Sequence, residues 1–522
     1  MIDNRRTANT ARITLFITSI AVFSKILGFA RDSILAHFYG SSSISDAFIT
    51  TLSMPDILFE LIANSITIGF VPIATGLLDE GRGAREVNRF TSNVVNIFEV
   101  LACVFSLIFI VFAEVIIYAL APGFQEKNID IAIYFLRIIS LAMLFKTVSS
   151  VLGAYMQTNR NFVPVSMYGV IMDVMIILFI VLSVKKGCTL LPYGVLLGVL
   201  AQMIFAVICA VKTGYRHSWT FNLRDPHLKA MLLMFLPAIA ATGANQIVQL
   251  VNKGMATTVM EGGVTLISNA NKMGYAAENI IVLSLAAVIY PILSSYSVRK
   301  NIKGFKHELV KGLNCTLILM IPLSIVLIIF SKPIINLLFG HGKYIDSVSY
   351  TSQLMKVYCI GIIGLSAYTL MVRALYAQKM VKQSAACAII SLLINIVLCF
   401  LLAKTAKMGL MGIALATSLT YTISFVITFL MMYFKIGDIG GSHIVNVILK
   451  IAIACIPMAA FSYLTYQLVE KYNSFLALIC CAVVGAVTYF CGMYVLKVEE
   501  ISMILQQIKK KLYTNDDRRN NQ

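Results

Sequence analysis

The chain has 522 residues, 59% of them hydrophobic and 13% charged, with a formal net charge of +18. That apolar share exceeds a soluble domain's, and apolar runs of about 20 residues or longer exclude the alternating ten-residue strands of a β-barrel. Much of the positive charge falls in short loops and at the two ends, as the positive-inside rule produces, and no basic domain stands apart, which argues against nucleic acid as a partner.

The fold class expected is therefore an all-α polytopic membrane protein with about 14 transmembrane helices. In chain order their apolar cores are 12–37, 46–77, 91–120, 129–157, 162–184, 190–213, 230–258, 263–296, 309–331, 347–377, 384–403, 409–434, 446–468 and 473–496. The first is long and carries Lys25, Arg31 and Asp32, so it reads as a retained helix rather than a cleaved signal. The second, seventh and eighth are long and too polar to face lipid on all sides, and are expected to face a cavity. Arg82, Arg85 and Arg89 follow the second helix, Lys212, Arg216, Arg224 and Lys229 the sixth, and Arg299, Lys300, Lys303 and Lys306 the eighth; Lys509, Lys510 and Lys511 lie in the tail. The alternate loops are poorer in Lys and Arg, which puts both termini in the cytoplasm.

An internal repeat runs through the chain. Ile116-Ile117 pairs with Ile334-Ile335, Tyr155-x-Gln157 with Tyr376-x-Gln378, Asp173 with Asn395, and Val71-Pro72-Ile73 with Tyr290-Pro291-Ile292, all at offsets near 220 residues. A repeat of six helices is even, so both copies keep one orientation. The expected organisation is a six-helix bundle over 1–220, a second over 221–440, two extra helices over 441–500 and a basic cytoplasmic tail over 501–522. Two such bundles about a central site are an alternating-access design.

Polar residues concentrate in the first two helices of each copy. The first helix has Ser24, Lys25, Gly28, Arg31 and Asp32; the second has Asp46, Pro55, Asp56, Glu60 and Asn64. The seventh has Gly243, Asn245, Gln246, Asn252 and Lys253, and the eighth Asn269, Asn271, Lys272 and Glu278. A cation in a spanning segment costs roughly 2.5–3.5 kcal/mol on insertion scales, so several of them point to an anionic ligand whose oxygens they clamp. The competing reading is that these charges pair among themselves. For Arg31, pairing with Asp32 or Asp46 is favoured; for Lys25 and Lys272, ligand binding is favoured; Lys253 stands between the two, being near enough to a helix end to snorkel. Lys146 and Arg373 read as structural. Gly28, Pro55 and Gly243 are the expected bending points, Pro55 because it removes a backbone hydrogen bond.

No enzyme constellation is present. The six histidines lack metal-ligand spacing, there is no GxxxxGK[ST] segment, and most of the eleven cysteines lie in apolar runs without a CxxC pair. Transport would then be driven by ions, membrane potential or the substrate gradient, with no cofactor on the chain.

Ser24-Lys25-x-Leu27-Gly28-x-x-Arg31-Asp32 resembles the first-helix signature of the MurJ (MviN) lipid II flippases, and Ser45-Asp46-Ala47-Phe48, Phe70-Val71-Pro72-Ile73, Ala121-Pro122-Gly123-Phe124 and the 372–378 stretch Val-Arg-Ala-Leu-Tyr-Ala-Gln resemble further family segments. The resemblance runs over helices 1–12 and implies the multidrug/oligosaccharidyl-lipid/polysaccharide exporter superfamily. It implies export of lipid II, a polyprenyl-diphosphate-linked peptidoglycan precursor, from the inner to the outer leaflet, with the bilayer and the cell-wall synthesis machinery as partners. By position, Lys25 and Lys272 stand where the family has arginines around the diphosphate, Arg31 and Asp32 match the next pair, and Asp46 matches a family acid. The second-helix position that is often arginine reads Phe59, followed by Glu60, and Lys253 is the cation that would replace it. Positions that hold sodium-binding acids in some members read Asn252 and Asn395, so sodium coupling is not expected. Helices 13 and 14 are expected to form a groove for the lipid tail. A flippase for another polyprenyl-diphosphate glycan, a cation-coupled exporter of small molecules and a non-transporting scaffold for wall synthesis remain the alternatives.

Overall fold

The computed structural model describes residues 2–79, 83–498 and 500; for residues 2–15, 58–65, 67–68, 126–127, 235–242 and 277 it describes the backbone path alone. The expectations on Phe59, Glu60, Asn64 and the tail 501–522 lie outside the described residues or side chains.

Among the described residues the structure is helical without strands, and a helix covers each of the fourteen expected spans. The helices are α1 (Ile2–Tyr39), α2 (Ser43–Asp79), α3 (Ala84–Val111), α4 (Ala113–Leu120), α5 (Glu126–Thr158), α6 (Val163–Ser166), α7 (Tyr168–Lys186), α8 (Leu191–Lys212), α9 (Pro226–Val259), α10 (Gly263–Val298), α11 (Ile302–Ile329), α12 (Ser331–Phe339), α13 (Val348–Ala377), α14 (Val381–Cys399), α15 (Leu410–Ile436), α16 (Gly441–Val469) and α17 (Ser474–Val495). Among the described residues, eleven helical stretches are long and apolar enough to cross a membrane. The three expected spans outside that set, α1, α2 and α9, each contain a stretch described by its backbone path alone. In a bilayer every backbone group must be satisfied within the segment, and hydroxyls are treated likewise: Thr51, Thr91, Thr147 and Ser149 each donate to the carbonyl four residues back.

Three expected helices are broken in two. The third breaks at Phe112 (φ −97°, ψ 18°) and the ninth at Phe330 (φ −98°, ψ 18°). The backbone hydrogen bonds match as well, Phe112 to Ile108 and Ile116 to Phe112 against Phe330 to Val326 and Ile334 to Phe330, each 2.9 Å. The offset, 330 less 112, is the 218 that also separates Ile117 from Ile335, and both of those isoleucines are fully buried. The repeat is thus written into the backbone. The helix ends at Arg160 and Lys379, both at φ 59°, stand 219 apart, so the Tyr-x-Gln pairing, at 221, is two residues out of structural register. The fifth helix breaks at Met167 between α6 and α7, next to Pro164.

Two compact units result. The first comprises Met1–Thr265 and His341–Ser347, the second Leu266–Gly340 and Val348–Gln522. Unit 1 contains α9 and the first turn of α10, and it buries Leu35, Phe48, Phe135, Leu136 and Ile176 in one cluster and Ile66, Phe70, Phe90, Tyr155 and Met231 in another. Phe70 stacks on Phe90 at 5.2 Å. In unit 2, Leu309, Leu313, Met371, Ile451, Met458 and Met493 share a core. That core draws on α16 and α17, and the Tyr489 hydroxyl donates to the Ile318 carbonyl at 2.8 Å, tying α17 to α11.

Candidate functional site

α1 and α7 run against each other through glycines. A Cβ on Gly28 would lie 3.5 Å from Asp173 Oδ2, and one on Gly169 would overlap the Ser24 hydroxyl. Small residues let spanning helices approach this closely, and the approach brings Arg31 onto two carboxylates. Its Nη1 donates to Asp173 Oδ1 at 2.8 Å, and its Nε and Nη2 donate to Asp32 Oδ1 at 3.2 and 3.1 Å. Asp32 and Asp173 are buried. The expected Arg31–Asp32 pair is therefore present, and Asp173 is the partner that sequence reasoning missed: it was visible as an acid in an apolar helix, read only as the repeat counterpart of Asn395.

Lys25 lies two turns before Asp32 on the same face of α1. It is exposed and, among the described residues, takes part in none of the ion pairs. Ser24 beside it is half-buried.

Asp46 does not turn toward Arg31. Almost fully buried, it accepts the N–H of Thr265 at 2.8 Å, that of Val264 at 3.3 Å and the Thr265 hydroxyl at 2.6 Å. A carboxylate there occupies the positive end of α10 and satisfies donors that the helix itself leaves unpaired. The surrounding turns are built on main-chain contact. Gly40, Gly262 and Gly342 all have positive φ, and a Cβ on each would overlap a carbonyl, of Lys343, Ser41 and His37 respectively. The Ser41 and Ser347 hydroxyls meet at 2.6 Å, and Ser43 bonds Glu261.

On α2, two more cations are engaged. Lys146 of α5 forms an ion pair with Asp56, in keeping with its structural reading, and Lys253 of α9 donates to the Ser53 hydroxyl. Pro55 lies buried between them within a continuous helix. Asn252 and Gly243 are buried in α9. The Ala121-Pro122-Gly123-Phe124 segment packs on the same helix: Gly123 donates its N–H to the Thr257 hydroxyl at 3.1 Å, and a Cβ on it would overlap the Thr257 carbonyl.

In unit 2, Lys272 is half-buried on α10. One to two turns on, Glu278 accepts from the Thr369 hydroxyl at 2.9 Å and lies within electrostatic range of Arg373, and the Tyr275 and Tyr421 hydroxyls bond each other. Asn395 is fully buried, its amide directed at Thr420 at 3.4 Å. Among the described residues no group of three or more His, Cys, Asp or Glu is arranged to hold a metal.

The fold has counterparts in known proteins. A solved structure titled "Lipid II flippase MurJ, inward closed conformation" superposes with a TM-score of 0.77 at 24% identity, covering 92% of this chain and 98% of its own. An inward-facing MATE-family multidrug resistance transporter of the MOP superfamily superposes at 0.69 with 12% identity, covering 81% of this chain and 98% of its own, and shares the fold. A probable lipid II flippase MurJ from Buchnera aphidicola subsp. Acyrthosiphon pisum is 24% identical over 89% of this chain and 92% of its own length. The lipid II flippase MurJ of Burkholderia cenocepacia is 23% identical over 73% and 76%. The family model described as lipid II flippase MurJ matches residues 35–483, from within α1 to within α17, and this multi-pass membrane protein belongs to that family.

Proposed function

We propose that this chain carries lipid II from the inner to the outer leaflet of the bacterial cytoplasmic membrane for cell-wall synthesis, by alternating access, with both termini in the cytoplasm. Membership of the MurJ family supports the substrate, and the observation that carries the site is Lys25: an exposed ammonium that, among the described residues, pairs with no carboxylate, on the helix face that leads to the Arg31 cluster. Lys25 and Lys272 hold the diphosphate as point charges. Arg31, kept in place by Asp32 and Asp173, adds a fixed positive field, and Ser24 and Asn252 offer neutral hydrogen bonds. Lys253, held on Ser53, supplies the cation that Phe59 does not.

Exposure of the site alternates between the two faces of the membrane. For α10 to leave α2, the Asp46 carboxylate must release three hydrogen bonds at the helix N-terminus, and Gly28, Pro55 and Gly243 are the points at which helices bend. An inside-negative potential, worth about 2.3 kcal/mol per charge per 100 mV, helps return the emptied cationic site to the cytoplasmic side. Neither sodium nor a cofactor is required.

Rescue of a bacterium depleted of its own lipid II flippase tests the reading, scored by lipid II reaching the outer leaflet. The wild-type chain is expected to rescue, and Lys25→Ala or Lys272→Ala to abolish rescue at unchanged membrane abundance. Full activity of both variants would remove the clamp. Failure of the well-expressed wild type would move the substrate to another polyprenyl-diphosphate glycan.

A further inference from the structure

The segment 213–225, which joins α8 to α9, contains neither helix nor strand, yet it is fastened along α3 by a row of polar side chains. Asn88 donates to the Gly214 carbonyl at 3.0 Å, and the Ser92 hydroxyl accepts the Ser218 N–H at 3.0 Å. Asn93 pairs with Asn222 in both directions, at 2.6 and 3.0 Å, and Asn96 donates to the carbonyls of Ser218 and Thr220 at 3.2 and 2.9 Å. Positions 88, 92, 93 and 96 lie on one face of a helix, so α3 presents a template on which an extended strap is laid.

The other side of the strap is apolar and uncovered. Trp219 is 93% exposed, Leu223 65% and Phe221 56%. Their depth can be read from α3 and α4. The exposed apolar residues of these two helices run from Val100 through Val104, Leu107, Val111 and Val115 to Tyr118, a rise of ~27 Å that accounts for the hydrocarbon core of ~30 Å. Asn96, which grips the carbonyls on both sides of Trp219, precedes Val100 by four residues, or ~6 Å. That places Trp219 at headgroup level, where tryptophan is enriched. Beside the strap is a cavity of about 840 Å³ whose lining includes Arg85, Arg89, Arg216, Glu86 and His217, three guanidiniums against one carboxylate among the described residues. The Asn88 side chain lines it too, with its carboxamide oxygen buried and without a hydrogen-bond partner.

We propose that the strap Tyr215–Leu223 is an interfacial anchor for anionic phospholipid: Trp219, Phe221 and Leu223 lodge among the headgroups, and Arg85, Arg89 and Arg216 take the lipid phosphate. The anchor follows from the chain's crossing of the membrane and is independent of the substrate carried. It holds the link between the two sequence repeats at the membrane surface, on the face that the Lys and Arg pattern assigns to the cytoplasm, where anionic lipid is concentrated.

Trp219 is the sole tryptophan of the chain, so its fluorescence reports on the strap alone. The full-length protein is reconstituted into vesicles of phosphatidylcholine, and of phosphatidylcholine with phosphatidylglycerol in equal parts. Blue-shifted emission, protection from aqueous iodide and quenching by spin-labelled phosphatidylglycerol in preference to spin-labelled phosphatidylcholine are expected. The preference should fall about fivefold for each of Arg85→Gln and Arg216→Gln, and Asn96→Ala, which unlatches the strap, should shift the emission to the red. Emission typical of water with free access to iodide would overturn the anchor. Equal quenching by the two lipids would overturn the assignment of the arginines to an anionic headgroup.

Discussion

Arg31 is bound by two carboxylates at once, and its environment sets what a substitution there means. Removing one partner of a buried ion pair leaves the other uncompensated, at about 3–5 kcal/mol, whereas replacing the partners together by neutral groups of similar shape is far milder. Asp173→Ala is therefore expected to lower the thermal stability of the purified protein markedly. Arg31→Gln combined with Asp32→Asn and Asp173→Asn, which neutralises both of its partners, should restore most of it. Transport measured in that triple variant then separates the two roles of the cluster: a stable but inactive triple variant assigns its charge to the substrate, and a stable, active one leaves it as a strut. Lys25 needs no such cycle, because among the described residues no carboxylate pairs with it.

Helices meet here through glycines, and the atom each glycine faces decides which substitution is tolerated. A methyl on Gly169 meets only the Ser24 side chain, whose hydroxyl can turn to another staggered rotamer. A methyl on Gly123 meets the main chain of Thr257 and Thr258, which cannot turn away, and overpacking of that kind costs about 1–3 kcal/mol or more. Gly123→Ala should accordingly lower folded yield and melting temperature more than Gly169→Ala, and equal melting temperatures would contradict the packing described. This level of detail was only partly legible in the sequence. The helices themselves were legible because an apolar run of about 20 residues has one solution in a bilayer, and the Arg31–Asp32 pair because the two are adjacent. Asp173, 142 residues from Arg31, and the Asp46 cap on Thr265, 219 residues away, depend on which helices touch, and periodicity carries no record of that. The breaks at Phe112 and Phe330 were missed because hydropathy runs through them unchanged.

Across the whole molecule the break at Phe112 recurs at Phe330, 218 residues on, and α16 and α17 are attached to the helix that carries the second one. The attachment shows most clearly at the paired breaks. Phe330 is 1% exposed, with Tyr466 of α16 against it at 5.2 Å between ring centroids, whereas Phe112, on the same backbone geometry, is 54% exposed. Phe330→Ala should cost about 3–5 kcal/mol as a cavity and reduce accumulation in the membrane, while Phe112→Ala should change melting temperature little. Similar losses at both sites would deny the packing role of α16. The same backbone bend thus answers to two different neighbours: at Phe330 the side chain is dictated by the ring laid against it, while at Phe112 any residue that tolerates the exposed surface would serve.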